Sequence, residues 1–306
     1  MPGSMTATTR EPRPPSLARR LATSLYRHPR LQLGGLLAAP VAWLLIAYGG
    51  SLALFLVTSF WQVDSFTGNL IREPTLDNYI QVATQEIFRT IAVRTIVMAA
   101  LVTLTTSVIA FPIAFYMAKV ASGRVRGAIA ISILLPLWSG YLVKVYAWRL
   151  ILSQGGVLNS VLAPFGLQGP GYSPIAVWLV ESYLWLPYMI IPIYAGLERI
   201  PGSLLEASSD LGGKAGQTFR RVILPLTRAG TVAGMLTVFG WSIGTFAEPL
   251  LLGSQNEQRA LAWTVYQRGV VQTDYGLSTA MGVVLLLVAF VVTYLSLRYS
   301  RGALVE

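Results

Sequence analysis

The sequence predicts an all-α, polytopic membrane protein with about six transmembrane helices and both termini in the cytoplasm. Three observations carry that prediction. First, 54% of the 306 residues are hydrophobic and only 12% are charged, against about 25% charged in an ordinary soluble domain. Second, the apolar residues fall into six runs of membrane-spanning length, at residues 33–61, 91–117, 127–152, 174–197, 229–252 and 276–297. Third, the 23 basic residues are unevenly shared. Sixteen lie in the N-terminal tail, in alternate loops and after the last run; four lie in the opposite loops, and three lie within runs or at their ends. Basic loops stay on the cytoplasmic side.

Composition also removes whole classes of function. The net charge of +10 reads as membrane orientation, because a nucleic-acid binder would not be this apolar. No nucleic-acid partner is expected. Cysteine is absent and the single histidine is His28, which excludes disulfide scaffolds, thiol chemistry and zinc or histidine-cluster sites. No metal site, no nucleophile with a histidine and no acid/base pair emerges, so no catalytic residue is assigned.

Taken in order, residues 1–30 form a cytoplasmic tail and residues 31–306 a transmembrane domain. Residues 1–16, with four prolines, have no apolar period. Leu17, Leu21 and Leu25 then recur at helical spacing beside Arg19, Arg20 and Arg27, the pattern of a short amphipathic helix on the inner leaflet. A flexible basic arm that only sets topology is the alternative. The first run, uncharged from Leu31 to Gln62, is longer than the hydrocarbon and must tilt or project from it. Lying after a 30-residue tail, it is too long for a cleaved signal peptide.

Ionisable residues inside spans are candidates for function because burying them is costly. Lys144 in the third span lies about 8 residues from its outer end, roughly 12 Å at the helical rise, and Glu181 lies about as deep in the fourth; equal depth permits an ion pair between them. That pair reads equally as two compensating buried charges or as a contact for a transported solute. Glu248, near the outer end of the fifth span, stands without a local partner. A cationic amine arriving from outside meets it, and ring faces from Tyr141, Tyr183, Trp185, Trp241 or Trp138 add cation–π attraction of about 0.5–2 kcal/mol each. Each ring taken singly also suits an interfacial belt or helix packing. Arg94, early in the second span, is expected to snorkel outward. Gly240 and Gly244 form a G-x-x-x-G pair, suited to an interface with a second subunit or to packing within one.

The cytoplasmic loop at residues 198–228 carries its own start and stop signals. Pro201-Gly202 makes a turn, and Ser203 with Glu206 fits a capping box opening a helix over 204–211. Gly212-Gly213 ends it. A second segment over 214–223 puts Phe219, Val222 and Ile223 on one face, and Pro225 is expected to stop it before the fifth span. Gly212-Gly213-Lys214-Ala215 is not a phosphate loop: Ser208 and Ala215 stand where the glycine and the hydroxyl are needed.

Glu206-Ala207-Ser208, three residues, Gly212, nine residues and Val222-Ile223-Leu224-Pro225 closely resemble the EAA motif of permease subunits in binding-protein-dependent ABC importers. Ser208 stands for the motif's second alanine and Val222 for its isoleucine. Further segments, among them Thr75-Leu76-Asp77-Asn78-Tyr79, Leu135-Pro136-Leu137-Trp138, Gly155-Gly156-Val157-Leu158-Asn159, Leu186-Pro187-Tyr188-Met189 and Pro249-Leu250-Leu251-Leu252-Gly253, resemble the spermidine/putrescine branch. The resemblance implies the type I importer permease architecture in a prokaryotic plasma membrane, paired with a homologous second permease, two cytoplasmic ATPases and an extracytoplasmic solute-binding protein. It implies that ATP and magnesium are handled by the ATPases, with no cofactor on this chain. Glu206, Ala207, Ser208, Asp210, Gly212, Phe219, Leu224 and Pro225 become the implied ATPase-coupling residues. Glu248, Glu181, Lys144, Tyr141, Tyr183, Trp185 and Trp241 become candidates for the path of a small cationic solute, with an opine, phosphonate or amino-acid-like solute as the alternative. An ion-coupled secondary carrier is the remaining rival, and it would need paired broken helices and a midplane ion relay.

Overall fold

The computed structural model describes residues 29–64, 67–253 and 260–301, so the expected tail helix around residues 17–25 lies outside the described residues. The chain divides into two compact units, Met1–Phe55 and Leu56–Glu306. In the first, the described residues form most of α1, whose span is Leu33–Thr58. Continuous apolar sequence builds it, and Pro40 inside it is followed by a π turn at Leu45–Gly49, a wider turn that absorbs helix irregularity.

The second unit contains α2 (Asp77–Thr84), α3 (Glu86–Val120), α4 (Gly123–Trp138), α5 (Tyr141–Leu152), α6 (Val157–Leu162), α7 (Pro174–Glu198), α8 (Gly202–Asp210), α9 (Ala215–Ile243), α10 (Ala247–Leu252), α11 (Leu261–Tyr266) and α12 (Tyr275–Arg301). A small antiparallel hairpin, β1 (Gln62–Val63) and β2 (Leu70–Ile71), pairs Gln62 with Ile71 and Val63 with Leu70. Among the described residues five helices are long and apolar enough to cross a membrane, and a sixth crossing exists if the α4 and α5 region counts as one span.

Three helices make the core. α3, α7 and α9 pack together, burying Val102, Ala110, Val180, Leu184, Met189, Ile193 and Val238 between them. α7 starts where its sequence says it should: Ser173 accepts the Ala176 N–H and Pro174 occupies the first turn. Close approach of α7 and α9 depends on glycine. A Cβ on Gly230 would lie 2.3 Å from the Pro192 carbonyl oxygen, and one on Gly234 would lie 2.8 Å from Met189 Sδ. Nothing lies within 4 Å of a Cβ on Gly240, so the close packing of α7 on α9 uses Gly230 and Gly234 and leaves Gly240 open.

The Leu76-Asp77-Asn78-Tyr79 segment acts as a clasp. Asn78, buried, donates to the carbonyls of Ser59 (3.0 Å) and Trp61 (2.8 Å), which the end of a helix leaves without intrahelical donors. Tyr79 Oη meets Ser59 Oγ at 2.6 Å. The start of α12 closes over the same carbonyl, where a Cβ on Gly276 would come within 1.9 Å of Trp61 O.

Two spans differ from the straight helices expected. The third is bent by 97° between α4 and the helices after it, because Ser139 and Gly140 are extended (ψ 144° and 140°) after a 3-10 turn containing Pro136. Proline removes a backbone donor and glycine accepts the break. The fifth span ends at Ile243, and after Gly244, Thr245 and Phe246 the chain restarts as α10. At its other end α9 runs straight through Pro225. The proline does not stop it because a π turn at Phe219–Ile223 precedes it, with the Leu224 N–H bonded to the Phe219 carbonyl. That shift widens the turn where the proline ring would otherwise collide.

Candidate functional site

Two regions carry the candidate residues, one at each end of α9. At the first end, α8 and the start of α9 form a two-helix protrusion. The capping box does not form: Pro201 is the N-cap, without a side-chain cap bond, and Ser203 lies inside the first turn. The helix therefore begins two residues earlier than expected. Its C-terminus is a Schellman motif, in which Gly212 N–H reaches Ser209 O (2.9 Å) and Gly213 N–H reaches Ser208 O (2.9 Å). Gly212 takes φ +77°, a conformation that costs a residue with a Cβ. Gly213 is needed for contact, since its Cβ would lie 2.6 Å from Ser208 O.

Side chains join the two helices. Ser208 Oγ and Thr218 Oγ1 lie 2.8 Å apart, and Gln217 Oε1 accepts the Lys214 N–H at 3.0 Å. Phe219 packs edge-on against Phe111 of α3 at 5.1 Å, tying the base of α9 to the core. Lys119 Nζ donates to Ile200 O at 2.5 Å, and Arg126 pairs with Glu198 at 3.8 Å. These bonds hold the loop's first anchor. Glu206, Ala207, Asp210 and Gly212 remain exposed, as do Leu224 and Pro225. Leu211 is 90% exposed, an apolar knob at the tip that the sequence reading passed over. Its signal was available: a leucine held at the last position before the glycine turn has no core to enter.

At the other end of α9 the two chain breaks meet. Gly140 turns the chain so that Tyr141 opens α5, and its hydroxyl donates to Glu248 Oε2 at 2.5 Å. Thr245 Oγ1 donates to the same oxygen. Glu248 thus has local partners, contrary to expectation, and it sits in the first turn of α10 rather than within a continuous fifth span. Burial is complete for Glu248 and for Glu181. In place of a Lys144 ion pair, Glu181 accepts from Ser242 of α9 through Oε2. The pair fails because it assumed a straight third span, and the bend at residues 139–140 re-aims the helix carrying Lys144. In each carboxyl group the second oxygen, Oε1, has no hydrogen-bond partner among the described residues.

A cavity of about 500 Å³ opens beside these breaks, lined by Tyr141, Lys144, Trp185, Tyr188, Trp241 and Phe246 among others. Its rings are mutually packed. Tyr141 stacks on Trp185 at 6.1 Å, Trp185 meets Trp241 at 4.9 Å, and Trp241 stacks on Tyr188 at 5.2 Å. Such contacts contribute about 0.5–1.5 kcal/mol each beyond burial and hold the ring faces in place. Glu248 stands behind Tyr141 and Thr245 rather than at the surface, because both of the residues it binds line the cavity. Tyr183 is turned away, packing edge-on with Trp148 at 5.3 Å, and Trp138 is 90% exposed. Tyr188 and Phe246, not singled out from the sequence, complete the lining.

Glu181 belongs to a different cavity of about 380 Å³, with Arg94, Ser242 and Thr245 on its walls. α3 begins at Glu86, five residues before the expected start, so Arg94 lies more than two turns into the helix.

The chain is similar to known proteins along most of its length. The chain is 40% identical over 243 residues to the inner membrane ABC transporter permease protein YdcU of Escherichia coli K12, an alignment covering 74% of this chain and 77% of that protein. It is 32% identical over 224 residues to the spermidine/putrescine transport system permease protein PotB of the same organism, covering 69% and 80%. In fold it is similar to a chain of a bacterial alginate ABC transporter solved in complex with an alginate pentasaccharide-bound periplasmic protein, with a TM-score of 0.76 at 18% identity over 92% of this chain and 97% of that one. A model of the family described as binding-protein-dependent transport system inner membrane component matches residues 110–303. The chain belongs to that family and is a multi-pass inner-membrane permease.

Proposed function

We propose that this permease is one half of the membrane path of an ATP-driven importer, and that its cargo is a polyamine or a related small cation. The observation that carries the coupling half of this reading is α9 itself. One helix of 29 residues, about 43 Å long at the helical rise, joins the glycine-capped protrusion to the break that lines the aromatic cavity. A displacement of the protrusion reaches Trp241, Gly244 and Thr245 along a single rigid element.

In this reading the termini and the protrusion are cytoplasmic, as the basic loops imply. Glu206, Ala207, Asp210 and Leu211 dock in a cleft of an ATPase subunit, Ser208 and Gly212 shape the docking turn, and Phe219, Leu224 and Pro225 seat its base. ATP and magnesium act on the two ATPase subunits. ATPase closure rocks α9 and its counterpart in a homologous permease, and a solute-binding protein delivers cargo at the far face. Alternating access then follows from two docked geometries of one interface.

Cargo chemistry rests on the 32% identity with a spermidine/putrescine permease and on the cavity. Packed ring faces attract an ammonium group by about 0.5–2 kcal/mol each, and Glu248 orients the Tyr141 hydroxyl. A second reading has its own observation. Lys144 lines the same cavity, its ammonium without a hydrogen bond or ion pair among the described residues, and such an ammonium favours a solute that also bears an anionic group. Solute-stimulated ATPase activity of the complete complex, assayed with polyamines, opines and phosphonates, separates the two. Stimulation by spermidine or putrescine alone supports the polyamine; stimulation by the opines or phosphonates alone moves the assignment to an anionic or zwitterionic cargo. The ion-coupled carrier is not favoured, since the chain belongs to a binding-protein-dependent family.

A further inference from the structure

The aromatic cavity leaves Glu181 unused. This carboxyl is fully buried, accepts from Ser242 through one oxygen, and has no hydrogen-bond partner for Oε1 among the described residues. An acceptor buried without a donor is costly to leave unmade, more so when charged. It lies at the second cavity, of about 380 Å³, a volume within the range of about 300–1,000 Å³ typical of small-molecule sites. The rest of that cavity is mainly aliphatic: Val93, Val97, Met98, Leu101 and Val177 line it. Arg94 also lines it, but is exposed and takes part in an interaction of its own.

We infer that this second cavity is a binding site for an aliphatic ammonium ion, its head donating to Glu181 Oε1 and its alkyl chain lying among the valines, Met98 and Leu101. A carboxylate ligand is disfavoured by Glu181 itself. A flat aromatic cation finds no ring to stack on, since none of the residues lining this cavity is aromatic. The site is separate from the cargo cavity but shares a wall with it: Thr245 lines both, and Ser242 and Thr245 lie about one turn apart at the end of α9. Occupation therefore bears on the same chain break that the cargo path uses. An aliphatic ammonium is also the class of cargo proposed above, so the inference deepens the import reading by giving that class a second contact, at Glu181, apart from the aromatic cavity.

The test uses the complete importer in nanodiscs, with radiolabelled n-hexylammonium as the probe and unlabelled n-hexylammonium, hexan-1-ol and hexanoate as competitors. Saturable binding is expected, displaced by the amine and at least about tenfold less well by the alcohol or the acid, in line with the strength of a charge-assisted bond. Glu181→Gln is expected to weaken binding by about tenfold or more. Val97→Trp keeps the carboxyl and fills the aliphatic wall, and it is expected to abolish binding in a complex that still assembles with its ATPases. Glu248→Gln is expected to keep binding. Unchanged affinity in both Glu181→Gln and Val97→Trp overturns the site, as does equal displacement by hexan-1-ol; loss in Glu248→Gln alone moves the amine to the aromatic cavity and overturns it too. The import reading fails separately, through absent solute-stimulated ATPase activity in the parent.

Discussion

The two ends of α9 are built by opposite means. At the protrusion, the turn that gives the two helices their shape is decided locally. Gly212 supplies a positive φ, Gly213 allows a backbone contact with Ser208, and both hydrogen bonds of the turn join residues within five positions of each other. At the cavity the bonds that bring the two breaks together are long-range: Tyr141 reaches Glu248 across 107 positions and Ser242 reaches Glu181 across 61. The comparison teaches that the protrusion is a cassette, recognisable in any chain that carries its spacing. The cavity end exists only once three helices are assembled. A rigid rod between a standard handle and a bespoke site suits machines that share a motor and differ in cargo.

The comparison can be broken in the middle, where the largest effect is expected. Gly230→Leu drives a side chain into a space where even a Cβ would lie 2.3 Å from the Pro192 carbonyl. Loss of packing between α7 and α9 should remove the subunit from the membrane fraction, read by quantitative immunoblot; normal abundance with normal uptake would refute the rod. Next comes the handle. Gly212→Pro cannot adopt φ +77°, so the subunit should insert and bind its partners while uptake falls by about tenfold or more at retained basal ATPase activity, a difference of about 1.4 kcal/mol in coupling. Unchanged uptake would sink the coupling role.

A smaller effect is expected at the cavity. Glu248→Gln keeps the shape but weakens the acceptor shared by Tyr141 and Thr245, and should lower solute-stimulated ATPase activity several-fold. Tyr141→Phe should do less, losing one hydrogen bond worth about 0.5–1.5 kcal/mol while keeping its stack on Trp185. Equal stimulation by both variants and the parent would detach Glu248 from the path. The smallest change is Ser208→Ala, which removes the bond to Thr218 between the two short helices. A cost of about 0.5–1.5 kcal/mol should appear as faster amide exchange at residues 208–218, with transport nearly intact.

Legibility followed the same divide. The helix near 204–211, its glycine stop and the exposure of Glu206 and Asp210 were readable because turn chemistry acts over a few residues. The capping box misled: Ser203 and Glu206 have the spacing, but Pro201 starts the helix two residues earlier and places Ser203 inside it. Pro225 misled for a related reason, since a π turn from Phe219 to Ile223 lets the helix carry a proline that a regular α-helix would not. The break at Ser139 and Gly140 had a visible signal in Pro136 and Gly140, which apolar composition masked. With that bend unseen, equal depth wrongly brought Lys144 to Glu181.

By itself the sequence determined the class of molecule, the number of spans, the implied direction of the chain and the family, because hydropathy, charge bias and motif spacing are properties of a string. Tertiary structure decided which buried carboxyl faces what. Glu248 and Glu181 look alike in sequence, each an acid in an apolar run. One is bound to Tyr141 and Thr245 behind a cage of rings, and the other to Ser242 at the wall of an aliphatic cavity. The physical reason is that a buried carboxyl group takes its partners from whatever helix packs against it, and helix packing here was set by glycines, prolines and two breaks whose consequences appear only in three dimensions.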